Sequence, residues 1–222
     1  AKKGYNPTKS GRASHHPLLA FIAEFQLVAN FWLRPGNVHS ANNVLQFLES
    51  TLAHLAGRTV GLLRADSGFF DDAFLSALEL KHIPYVVAAK LTHPLQRTIY
   101  RARNWWALKQ GIEIAEIDYQ AAGWEQARRI IVIRQSASDR EPVGKSLSLF
   151  PEDPVAQGWR YGAYVTDLAL PAVEVWRTYR GRADAENRIK ELKADFGLDA
   201  FNMKEFWATA AALSFARLAY TL

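Results

Sequence analysis

The chain has 222 residues, of which 49% are hydrophobic and 22% charged, with no cysteine and a formal net charge of +5. That composition fits a globular protein of one large or two small domains, and it excludes a disordered or collagen-like chain, a disulfide scaffold, a thiolate zinc site and a cysteine nucleophile. No apolar run approaches the ~18 residues that span a bilayer, and no signal-peptide layout is present. A cytoplasmic protein without a membrane partner is therefore expected, and the excess of 27 basic over 22 acidic residues favours a polyanionic partner.

Residues 1–16 read as a loop, basic at Lys2, Lys3, Lys9 and Arg12. The start on Ala1 in such a segment reads as the interior of a longer protein. Leu18 to Leu33 is dense in Phe, Ile, Val and Trp, which fits a pair of strands better than one helix. Pro35-Gly36-Asn37 ends it as a turn. Ser40 is the expected cap of a helix carrying Val44, Leu45, Phe47, Leu48, Leu52 and Leu55, closed by Gly57. Thr59–Arg64 (TVGLLR) reads as a buried strand, followed by a turn through Asp66 and a helix from near Asp71. Tyr85–Ala89 (YVVAA) is the next strand. Strand–helix–strand–helix–strand argues for a partly parallel sheet with covering helices.

Further on, Ile112–Tyr119, Arg129–Arg134 and Arg160–Leu168 look like antiparallel strands, with a polar loop at Ser136–Gly158. Two more basic groups occur here: Arg97, Arg101, Arg103 and Lys109, then Arg128, Arg129 and Arg134. Each reads as a solvated face or as a contact for a polyanion. A long helix is expected from Pro171 to about Phe196, with Gly197 as its stop, and a last helix over Met203–Leu222. The histidines show no ligand spacing, so no zinc is assigned.

Asp66 stands where TVGLLR ends. Ligand sites in open α/β sheets lie beyond the carboxyl ends of strands, so Asp66 is a candidate metal-binding carboxylate; a turn aspartate is the plainer alternative. On the long helix, Tyr179, Arg182, Glu186 and Lys193 fall within ~60° of arc at 100° per residue. Ala185, Ile189, Leu192 and Phe196 form an apolar stripe beside them. An acid flanked by Arg and Lys suits a phosphate site in which the carboxylate holds a divalent metal. A surface laced with i,i+4 ion pairs, Arg182–Glu186 among them, has the same spacing.

The pattern Tyr-x2-Arg-x3-Glu-x6-Lys at Tyr179, Arg182, Glu186 and Lys193 resembles the signature of a large group of bacterial insertion-sequence DDE transposases. The stretches GYNPTKSGRASHHPLLAFIA, LRPGN, LLRADSGF and AENRIKELKADFGLDAF resemble that group too, from Gly4 to the end of the chain. The resemblance implies an α/β, RNase-H-like mixed sheet with flanking helices and an inserted β-rich subdomain. The expected division is 1–84 and 169–222 for the catalytic core and 85–168 for the insertion. It implies metal-dependent cleavage and strand transfer of transposon ends, with Mg²⁺ (or Mn²⁺) held by Asp66 and Glu186 as the second and third acids. By the resemblance, DNA backbone contacts fall to Tyr179, Arg182 and Lys193; Lys190, Arg101, Arg103 and Trp124 are further candidate DNA contacts. The partners implied are double-stranded DNA, as transposon end and target, and a second copy in a homodimer. The family's first aspartate lies upstream of GYNP, so an incomplete site is expected in this chain. Trp105, Trp106 and Trp124 lie near the basic groups, where an aromatic could stack on an extruded base or simply fill the core. The alternatives are a DNA-binding transposase remnant without activity and another RNase-H-like nuclease.

Overall fold

The structure is a computed structural model describing residues 2–3, 13–15, 17–35, 37, 43–136, 158–181, 187, 189–191 and 205–221. The chain divides into two compact units, 1–59 with 181–222, and 60–180.

In the first unit, β1 (Lys2–Lys3) pairs antiparallel with β2 (Ala13–Ser14), so the segment expected as a plain loop carries a short ladder. β3 (Leu18–Ile22) and β4 (Leu27–Trp32) form the expected strand pair. The chain reverses between them with Gln26 at φ 57°. α1 (Val44–His54) begins from Asn43; the expected cap Ser40 lies outside the described residues. Its buried face, Val44, Phe47 and Leu48, turns toward the hairpin, where Phe47 meets Trp32 edge-on at 5.6 Å. Buried Asn30 of β4 donates to the Ser50 and Thr51 hydroxyls of α1 at 3.1 and 3.0 Å, so this polar side chain is satisfied inside the contact. α5 (Phe206–Thr221) packs against β4 and buries Thr209, Leu213 and Ala216, spaced four and three residues apart on one helical stripe.

The second unit is built on a six-stranded sheet of β5 (Leu63–Ala65), β6 (Tyr85–Ala88), β7 (Trp105–Lys109), β8 (Ile112–Tyr119), β9 (Arg128–Ser136) and β10 (Trp159–Thr166). The order is β5-β6-β10-β9-β8-β7. β5 and β6 are parallel and joined through α2 (Asp72–Leu80); every other pair is antiparallel. α2 lies on one face, tied to β9 through Arg128, which meets Asp72 and Glu79. α4 (Ala172–Arg180) lies on the other, its Val175 fully buried among Val86, Ile112, Ile114, Ile131 and Ile133. Cover on both faces explains why the run RIIVIR in β9 is apolar without alternation. α3 (His93–Arg101) packs along β8 and buries Leu95 and Ile99. This is the mixed, helix-flanked sheet expected from the sequence.

Three local expectations change. β5 is shorter than Thr59–Arg64 and lies further along the chain. Its ladder partner among the described residues is β6, whose pairing begins at Tyr85 beside Leu63, and Pro84 has no N–H to extend it; the Pro84 carbonyl accepts from Leu63 N instead. The basic run 97–109, given no element by the sequence, contains the end of α3 and all of β7, which pairs with β8 through a register shift between Ala107 and Lys109. The helix expected over Pro171–Phe196 stops at Arg180, with Gly181 in a turn. Glycine is among the weakest helix formers, and here it interrupts the run. One continuous rod therefore does not carry Tyr179 together with the residues beyond Gly181.

Candidate active site

Asp66 follows β5 directly. Its backbone stays extended, at φ −83° and ψ 178°, and a 3-10 turn over Ser67–Phe69 begins behind it. The Asp66 carboxylate accepts from Gly68 N at 2.9 Å. It is the turn aspartate of the plainer reading, and it is also exposed, beside buried Ala65. A carboxylate offers about four lone-pair sites, so holding the turn and binding a cation are compatible. Asp71 likewise caps α2, accepting from Phe74 N.

The ladder shows what faces Asp66. Ala65 stands beside Val87, and Tyr164 of β10 stands beside Ala88. One residue further along both parallel strands, Asp66, Ala88 and Tyr164 share a row across the sheet. Residues in one row point to one face. That face is the one under α4, because Arg64, two residues before Asp66, donates from Nη1 to the Thr178 carbonyl at 3.1 Å. At two strand spacings, the Asp66 and Tyr164 backbones lie ~10 Å apart. Above the row, the Tyr164 and Tyr179 rings are 4.4 Å apart, tilted by 42°, and the Arg180 guanidinium lies over Trp176. Burial first, and then Tyr179, push the Tyr164 hydroxyl above the usual phenol range, against a pull downward from Arg180. The end of α4 is thus fastened to the strand end that carries Asp66.

The remaining candidates are placed as follows. Arg101 and Arg103 are exposed at the end of α3 and before β7, and make no ion pair among the described residues. Lys190 is exposed in the other unit. Trp124 is half-buried, with Phe70 at 5.0 Å, Tyr119 at 5.9 Å and the Arg128 guanidinium over its ring. Arg182, Glu186 and Lys193 lie outside the described residues. The third basic group is not a solvated face. Arg128 is buried between Asp72 and Glu79, Arg129 pairs with Glu116, and Arg134 pairs with Glu113 while stacking between Trp105 and Trp159. Acids that stand far off in sequence neutralise these cations. The sequence reading missed Arg64 and Tyr164. Period-2 alternation back from Asp66 points to Arg64; no local signal points to Tyr164.

An exposed carboxylate on a rigid strand end is a hard oxygen ligand and suits Mg²⁺ or Mn²⁺. Among the described residues, no three His, Asp or Glu side chains cluster to hold an ion.

The helix-flanked, six-stranded mixed sheet is consistent with the RNase-H-like fold of DDE transposases. Residues 3–222 match the transposase DDE domain, group 1, and the chain belongs to that family. Its members are DNA-directed phosphoryl-transfer enzymes that generally use divalent metal ions. No curated protein matches the chain.

Proposed function

We propose that this chain supplies the second and third acids of the catalytic domain of an insertion-sequence transposase, an enzyme that cuts transposon ends and joins them to target DNA. The observation that carries the reading is Asp66, exposed at the carboxyl end of a parallel strand in a chain matched to the family over residues 3–222.

On this reading Asp66 and Glu186 hold magnesium or manganese. The ions, when bound, supply Lewis acidity to the attacking and leaving oxygens of the phosphodiester. The chain's own task is to orient that phosphodiester in line with a water, and then with a freed 3′-hydroxyl. Tyr179, Arg182, Lys190 and Lys193 contact the backbone near the transposon end. Arg101 and Arg103, exposed and unpaired among the described residues, extend the track, and Trp124 borders it. Two copies act together on paired ends.

In a transposase that carries the family's first aspartate together with these residues, Asp66→Ala and Glu186→Ala are each expected to abolish cleavage and strand transfer while duplex binding, measured in the absence of metal, stays within about twofold of wild type, since neither carboxylate attracts phosphate. Strand transfer at the normal rate by either variant overturns the assignment of that acid. Cleavage without joining by the unmodified protein would favour another RNase-H-like nuclease.

A further inference from the structure

We propose that Tyr164 is a positioning residue of the candidate site: its ring is the platform that sets Tyr179 above the strand row of Asp66. The inference rests on the reading of Tyr179 as a DNA contact.

Three observations support it. First, Tyr164 shares the row of Ala88, two strand spacings from Asp66, and the Tyr179 ring rests against it at 4.4 Å. Second, the cluster beneath α4 is otherwise aliphatic at its centre, with Val86, Ile112, Ile114, Ile131, Ile133 and Val175. The aromatic pair joins β10 to the end of α4, and Arg64, two residues before Asp66, fastens that same helix end at Thr178. Third, Gly162 precedes Tyr164 by two residues on the same face. A Cβ at Gly162 would lie 3.2 Å from the Tyr164 hydroxyl and 3.6 Å from the ring carbon that bears it. The ring therefore leans back along the strand over bare backbone instead of standing upright into α4. A side chain larger than alanine at 162 would occupy the space of the ring and displace the platform on which Tyr179 rests.

The test is a double-mutant cycle in affinity for a fluorescently labelled short duplex DNA, read by anisotropy at low salt. Tyr179→Phe removes one hydrogen bond to phosphate and is expected to weaken binding roughly fivefold. Tyr164→Leu is expected to weaken it by a similar factor, and the double variant by no more than either single one, because both act through the same hydroxyl. Tyr164→Phe, which keeps the ring, restores binding. Gly162→Val, whose branched side chain needs the space of the ring, reproduces the loss without deleting either ring, and thermal unfolding of each variant confirms that it folds. Losses that multiply, or a Tyr164→Leu protein that binds like wild type while Tyr179→Phe does not, overturn the platform alone. A Tyr179→Phe protein with undiminished affinity overturns the reading of Tyr179, and the platform with it.

Discussion

Arg128 is a cation almost wholly removed from water, with 4% of its surface exposed. Its fork is filled: Nε and Nη2 reach Glu79, Nη1 reaches Asp72, and Nη2 also reaches Ser76 at 2.8 Å. Removing one member of a buried pair leaves the other charge stranded. Arg128→Ala should therefore destabilise the protein by about 3–5 kcal/mol in urea unfolding. The same network sets a pH dependence. Burial raises the Glu79 carboxyl, but hydrogen bonds from Arg128, Tyr85 and Gln126 outweigh it and hold the group below the ordinary carboxylate range. The unfolded chain then binds the proton more readily than the folded one. This stabilisation is fully present above the unfolded value of about 4.3 and is lost as pH falls through the lower folded value. Burial shifts Asp167 upward, with hydrogen bonds from backbone N–H groups opposing, so its contribution has the opposite sign and offsets part of the fall. Urea midpoints measured on a descending pH series should drop less steeply in Glu79→Gln than in wild type; an unchanged slope would remove Glu79 from the account.

α4 is held by three devices: Val175 in the aliphatic cluster, Tyr179 on Tyr164, and the Arg64 guanidinium on the Thr178 carbonyl. Val175 has no exposed surface. Val175→Ala should cost about 2 kcal/mol in chemical denaturation followed by circular dichroism, and it should weaken duplex binding if the helix end moves. The sequence was readable where an element buries a regular pattern. β6, β8, β9, β10, α1, α2 and α5 all follow from apolar periodicity and turn residues, to within a few positions. α3 is hidden because only two buried apolar residues, Leu95 and Ile99, anchor it, and Pro94 and two cations, Arg97 and Arg101, sit around them. The helix through Arg180 was extended too far because periodicity continues past Gly181 and hides the break. The place of Asp66 at a strand end is legible because an acid closes an apolar run. The place of Tyr164 is not, since an aromatic in a strand looks like any core residue and its partner lies on a separate helix.

Charge is unevenly spread over the chain. Between Leu80 and Ile112 there is no acid, and Arg97, Arg101 and Arg103 are exposed without an ion pair among the described residues, whereas Arg128, Arg129 and Arg134 are neutralised internally. The net charge of +5 therefore understates the cationic character of the α3–β7 segment. Duplex DNA affinity should fall steeply with added salt. Replacing Arg101 and Arg103 together with glutamine should lower the slope of log K against log[salt] by about two, in a filter-binding or anisotropy titration; an unchanged slope would place the phosphate contacts elsewhere. Among the described residues, no helix is long and apolar enough to cross a membrane. The same segment includes β7, the last strand of the sheet, with its register shift between Ala107 and Lys109 and half-exposed Trp106. An outer strand that is regular and greasy would invite a second molecule to zip onto it. The irregular spacing and the lysine at its end break that template, so a cationic rim can stay open to solvent without seeding aggregates.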